Sequence, residues 1–322
     1  MKFFITGAAG FIGMHVCLRL LSRGEIVVGI DNLNEYYDLS LKEARLARLK
    51  QYPNFYFFCI DIANQTEVGH IFELHKPEFV INLAAQVGVR YSISNPSAYV
   101  DSNLVGFLNI LEGCRHAQVR HLVYASSSSV YGKNTKTPFS ETDSADQPAS
   151  LCAATKKANE LMAYSYSSLY KISATGLRFS TIYGPWGRPD MAYFIFTKAI
   201  LEGEPINVFN HGQLQRDFTY IDDIVEGVVR VIDKLASQDD VKSHRIFNIG
   251  NHNPITLKTF IECLEKVLGR EAIKVFLPMQ LGDMHTTYAD TFKFQEWTDF
   301  TPNTPLQEGV EKFVTWYQSI YA

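Results

Sequence analysis

The chain predicts a doubly wound α/β fold, and three observations carry that expectation. Strand-like and helix-like patterns alternate through the first 180 residues. The first strand runs into a turn with glycines at 7, 10 and 13, spaced G-x-x-G-x-x-G. A carboxylate, Asp31, closes the second strand. Such alternation means a parallel sheet covered on both faces by helices and joined by right-handed crossovers.

Apolar strands read at 2–6, 25–30, 55–60, 78–83, 120–126 and 172–178, with helical periodicity at 11–23, 38–50, 65–75, 96–117 and 150–169. After residue 180 the pattern turns irregular around the turn-rich stretch 183–190, returns to helix at 191–203 and 221–235, shows a strand at 245–249, and ends in further helices. The expected architecture is a Rossmann-type domain of residues 1–180 plus about 214–250, with a smaller discontinuous C-terminal substrate lobe of about 181–213 plus 251–322. Ligands of open α/β sheets bind at the carboxyl edge of the strands, where this lobe would lie.

The 322 residues, 46% hydrophobic and 20% charged, have the composition of a soluble globular protein. A net charge of −4 offers no basic field for nucleic acid. No apolar run approaches the ~20 residues that span a bilayer. Residues 1–7 read as a strand entering a glycine turn, not a leader peptide. Five widely spaced cysteines without a C-x-x-C pair predict reduced thiols in a cytoplasmic protein, and the scattered histidines predict no metal site.

In the glycine turn, Gly7 permits the tight reversal, Gly10 lets the backbone approach a pyrophosphate, and Gly13 lets the helix pack closely on the strand. Phe11 and Ile12 open the helix, whose free N–H groups suit a phosphate. Asp31, 18 residues after Gly13, would accept hydrogen bonds from an adenosine ribose and repel a 2′-phosphate, so NAD is expected over NADP. Asp61 and Ile62 after the third strand are placed to meet the adenine, Asn32 joins the cofactor set, and Ala84, Ala85 and Gln86 after the fourth strand should line the cofactor's path. Asn103, Lys156 and Ser180 complete the expected cofactor set.

Cys152 and Lys156 are four apart, hence on one helix face, and follow a serine run, Ser126-Ser127-Ser128-Ser129-Val130-Tyr131-Gly132. The glycine turn, this run and the Lys resemble the extended short-chain dehydrogenase/reductase family over essentially the whole chain. The resemblance sharpens at residues 31–38, with Leu41-Lys42 and Arg45-Leu46, and at 84–92, 183–192 and 216–223, where the chain looks like UDP-glucuronate 4-epimerases of the bacterial and plant type. It implies a homodimer paired through the helices 96–117 and 150–169, and a UDP-sugar oxidised by NAD at C4 to a 4-keto intermediate and reduced again on the opposite face. Ser127 would bridge the 4-oxygen and Lys156 would hold the nicotinamide ribose. Thr181, Arg188, Ser128 and Ser129 would hold a uronate carboxylate, which matters because a 4-keto uronate readily loses CO2. Arg90 and Arg216 would serve the substrate, Arg216 at the diphosphate, and Asp283 the uridine ribose.

Two positions depart from the family pattern. Cys152 stands where the family has the catalytic Tyr, and Ser180 where relatives carry Phe. Lys156 is expected to lower the Cys152 pKa, so reach rather than acidity is the obstacle: the sulfur lies one bond beyond Cβ, and a general base must touch its proton. The reading is C4 epimerisation of a UDP-sugar, UDP-glucuronate first, impaired by Cys152. Two alternatives stay open: an epimerase of a neutral UDP-hexose, and a non-catalytic NAD- and UDP-sugar-binding protein. Arg188 also reads as a surface loop charge, and Arg216 as a partner of Asp217 or Asp222.

Overall fold

The computed structural model describes residues 1–237, 243–280 and 285–321. Its main sheet is built from β1 (Lys2–Thr6), β2 (Ile26–Asp31), β3 (Phe55–Cys59), β4 (Phe79–Asn82), β5 (His121–Ser127), β6 (Ala174–Phe179) and the later strand His244–Ile249. Their spatial order is His244–Ile249, β6, β5, β4, β1, β2, β3, and every neighbour is parallel. The order reverses between β1 and β4, which opens a crevice at the carboxyl ends of those strands.

Alternation along β1 shows how the two faces are filled. Phe3 and Ile5 enter one apolar cluster with Met14, Val16 and Leu20 of α1 (Phe11–Ser22). Phe4 enters the other, with Ile71, Phe72 and Ile110. A sheet buried on both faces needs apolar residues at consecutive positions, which is why its strands read as short unbroken runs.

The helix expected at 96–117 is present in three pieces: Pro96–Val100, a π-helical stretch Asp101–Gly106, and Phe107–His116. At the wide turn the Asn103 carbonyl accepts from the Asn159 amide at 2.6 Å. Gly106 packs there on Ile62, and a Cβ would lie 2.5 Å from that side chain.

The stretch that reads as irregular holds two small sheets. Gln215–Tyr220 pairs with Thr181–Tyr183, Pro254–Thr256 and Thr286–Thr287, while Pro205–Phe209 pairs in parallel with Ile273–Leu277. Strands this short, paired across long sequence separations, leave no periodic signal. Residues 215–220, expected with the nucleotide-binding part, thus pair within the second sheet. The helix that follows, Ile221–Ser237, packs on α1. No helix among the described residues is long and apolar enough to cross a membrane.

Candidate functional site

A cavity of about 510 Å³ runs from the glycine turn to the second sheet. At one end the backbone makes the site. Gly7 has a positive φ of 71°, and a Cβ there would lie 2.8 Å from the Ala84 nitrogen. A Cβ on Gly13 would lie 2.0 Å from the Gly7 carbonyl oxygen, so only glycine lets α1 start this close to the turn. Gly10 caps α1 without any side-chain acceptor, which leaves the first helical N–H groups facing the cavity, the geometry an anionic diphosphate needs. Thr6 Oγ1 donates to Asn82 (2.7 Å) and accepts from the Leu83 and Ala84 N–H groups, tying the ends of β1 and β4 together.

Asp31 ends β2 against this turn and accepts from the N–H groups of Ala9 (3.2 Å) and Leu33 (2.9 Å). Burial raises its pKa, opposed by those two donors and by Lys42. Lys42 is nearly inaccessible and donates to both oxygens of Asn34, each at 2.7 Å. Burial lowers its pKa in turn.

At the other end side chains make the site. Ser127 accepts from Ser129 through the backbone N–H (3.2 Å) and Oγ (2.9 Å), which aims the run along the cavity wall. Lys156, on the helix Leu151–Tyr170, donates to the Ala125 carbonyl at 2.8 Å. Burial lowers its pKa to about 8. Cys152 lies one turn earlier, and there the sequence expectation is corrected. Burial pushes the thiol up, and the Lys156 and Arg188 charges and the Gly88 backbone do not bring it back. A thiol held above its ordinary range keeps its proton at pH 7, so the Lys156 charge does not make it a ready base.

Two buried networks hold these elements. Glu160 takes Ser126 Oγ at 2.7 Å and both arms of Arg178 at 2.8 Å each. Arg178 also donates to Tyr131 Oη (2.9 Å), which donates to Asn248 (2.6 Å). The serine strand, the helix of Lys156 and the last sheet strand are thereby locked in one register. Arg45, fully buried, donates to the Ala9 carbonyl in the glycine turn and to the Trp186 and Gly187 carbonyls in the loop before Arg188. It joins the two ends of the cavity.

Of the residues assigned from sequence, the cavity brings together Gly7, Gly10, Phe11, Ile12, Gly13, Asp31, Asn32, Ile62, Ala84, Ala85, Gln86, Ser127, Ser128, Ser129, Cys152, Lys156, Ser180, Thr181, Arg188 and Arg216. Asp61 is not among them: its carboxylate accepts from Asn32 and the Ala63 N–H, both at 2.8 Å. Nor is Asn103, whose side chain clamps both backbone groups of Gln86 and Thr155 Oγ1. Arg90 turns away to pair with Gln280 and cover the Phe209 ring. Asp283 lies outside the described residues. Tyr36, Lys42 and Met191 line the cavity without having been assigned a role; only their presence in the resemblance segments pointed to them. Arg188 is not a surface charge: it lines the cavity and grips Asp190 with two hydrogen bonds. Arg216 donates to the backbone carbonyls of Gln215 and His285.

Against known proteins, the profile of the NAD dependent epimerase/dehydratase family matches residues 3–250. The chain belongs to that family. It is 55% identical over 333 residues to the uncharacterized 37.6 kDa protein in the cld 5′ region of Escherichia coli O111:H-, covering 100% of this chain and 99% of that protein. It is 47% identical over 334 residues to the probable UDP-glucuronate 4-epimerase of Rhizobium meliloti (strain 1021), covering 100% and 98%. The crystal structure of UDP-glucuronic acid 4-epimerase from Bacillus cereus, in complex with UDP-glucuronic acid and NAD, superposes with a TM-score of 0.91 at 33% identity over the full length of both chains. Members of this family are NAD-dependent epimerases and dehydratases, and the chain is similar over its whole length to UDP-glucuronate 4-epimerases. The uncapped helix start and the two glycines with no room for a Cβ fit that cofactor.

Proposed function

We propose that this chain epimerises UDP-glucuronate at C4 to UDP-galacturonate, slowly, because residue 152 brings no phenol to the reacting oxygen. The observation that supports the reading is that Arg188, Thr181 and Ser127–Ser129 line one cavity with Lys156 and the glycine turn. NAD supplies the hydride acceptor and donor for C4. Asp31 meets the adenosine ribose, the Gly10–Gly13 helix start meets the diphosphate, and Lys156 holds the nicotinamide ribose. Ser127 hydrogen-bonds the sugar 4-oxygen. Arg188 and Thr181, with Ser128 and Ser129, fix the carboxylate in the orientation that guards against loss of CO2, and Arg216 meets the UDP diphosphate. In this arrangement the proton of the 4-hydroxyl leaves through Ser127 and water in the space where the phenol ring would stand.

A charge-assisted hydrogen bond contributes roughly 1.5–3 kcal/mol, so UDP-glucuronate should bind about ten- to a hundredfold better than UDP-glucose. Calorimetric titration with both sugars tests this whether or not turnover is fast. Equal affinities, or an unchanged ratio in Arg188→Ala, would favour the second reading, a neutral UDP-hexose. One observation speaks for that reading: the Arg188 charge is already balanced by Asp190.

The helices 96–116 and 151–170 carry Val105, Leu108, Leu161, Tyr164 and Leu169 exposed to solvent. The stripe is not used against the chain's own sheet, and an apolar face of this kind supports pairing of two copies across a two-fold axis. Light scattering should give twice the 36.5 kDa chain mass, and a monomer at micromolar concentration would remove the proposal. Five cysteines without a disulfide fit the reducing conditions of a cytoplasm.

A further inference from the structure

We propose that Asp190 is a built-in competitor for the sugar carboxylate and sets how strongly Arg188 prefers a uronate over a neutral UDP-sugar. The proposal deepens the reading of Arg188 as the uronate holder and rests on it. Arg188 donates through Nε to Asp190 Oδ1 at 3.0 Å and through Nη2 to Oδ2 at 2.6 Å. This is the bidentate fork that a substrate carboxylate would take. Tyr36 Oη donates to the same Oδ2 at 3.0 Å and so holds Asp190 from a second side. Burial works against both charges, yet the pairing leaves Arg188 with a raised pKa and Asp190 with a lowered one.

The pairing is built in by the loop. The intervening Pro189 limits the backbone between the two residues. Arg45 fixes the two carbonyls before Arg188, and the Arg188 N–H donates to Tyr193 Oη at 3.2 Å. Arg188 and Tyr36 line the cavity, and Asp190 does not. An incoming carboxylate therefore meets a guanidinium whose best edge is engaged and a second negative charge bonded to it. It must use the remaining Nη1 edge or displace Asp190, and either route weakens its binding relative to an unpartnered Arg. A neutral hexose faces neither penalty. Asp190 thus keeps the uronate preference moderate, which lets a charged product leave the site where a charged substrate entered.

The test titrates UDP-glucuronate and UDP-glucose into the NAD-loaded protein, its Asp190→Asn variant, Arg188→Gln, and the double variant. Asp190→Asn should tighten UDP-glucuronate about tenfold, the scale of one charge-assisted hydrogen bond, and leave UDP-glucose within about threefold. The gain should vanish in the double variant. If Arg188→Gln leaves the ratio of affinities unchanged, the uronate reading of Arg188 fails and this proposal with it. If Arg188→Gln lowers the ratio but Asp190→Asn does not raise it, this proposal alone fails. Should Asp190→Asn not retain NAD, Asp190→Ser carries the same comparison. If neither variant retains NAD, Asp190 serves the loop's structure, and the proposal is overturned.

Discussion

The two ends of the cavity are built from different materials. At the glycine turn the walls are backbone: N–H groups at a helix start, two glycines whose neighbours exclude a Cβ, and one carboxylate held by backbone donors. At the other end the walls are side chains drawn from β5, the 151–170 helix, residue 181, the loop at 188 and the second sheet, held by bonds to each other, as Ser129 to Ser127, or to side chains behind them, as Arg188 to Asp190. A backbone wall fails when one glycine gains a methyl. A side-chain wall keeps its shape when one member changes, because its partners hold the rest. Cys152 falls in the second kind of wall, so a substitution there should leave the rest of the cavity standing.

The largest expected effect tests that tolerance. Cys152→Tyr should raise C4 epimerisation, followed by NMR of the sugar, by ~10²–10⁴-fold, the span of a positioned acid/base group, while UDP-glucuronate affinity moves little. An unchanged rate would mean that the side-chain end never depended on a phenol. The next effect concerns what holds that end in register. Glu160→Gln leaves Arg178 buried without its counter-ion, and both side chains are only 2% exposed. Loss of one partner of such a pair costs about 3–5 kcal/mol, readable as a shifted urea midpoint. A change under about 1 kcal/mol, the level of an exposed pair, would show that the network does not anchor the serine strand.

The same contrast decides what the sequence revealed. β1 to β6 and the glycine turn are local patterns, each complete within a few residues, and they stand where periodicity and spacing put them. The small sheets depend on pairings such as Thr286 with Gln215, which no local window contains. At the site, spacing placed Cys152 one turn from Lys156 but was silent on burial, and burial reverses the expected direction of the thiol's pKa. Asp61, Asn103 and Arg90 have suitable chemistry, but protein partners in the fold engage their side chains. The Glu160–Arg178 pair and the span of Arg45 across the cavity are contacts between segments that only the tertiary structure brings together.

Lys156 stands where the two ends meet, and its charge offers the finest test. Its Nζ has a backbone carbonyl as partner at 2.8 Å, and burial takes its pKa from 10.5 to about 8. Between those values the unfolded chain binds more protons than the folded one, so stability should rise with pH across that window. Below pH 8 both states hold the proton, and the penalty is complete and constant. The whole rise should amount to roughly 3–3.5 kcal/mol, most of it within urea midpoints measured from pH 7.5 to 10.5 on protein freed of nucleotide. Lys156→Met should be more stable at pH 7.5 and lack that part of the slope, whereas Lys42, whose pKa is lowered at the backbone-built end, would keep its own share. A slope identical in Lys156→Met would assign the protons elsewhere. It would then be the backbone-built end that carries the charge strain, and the division between the two walls would have to be drawn on the other side of Lys156.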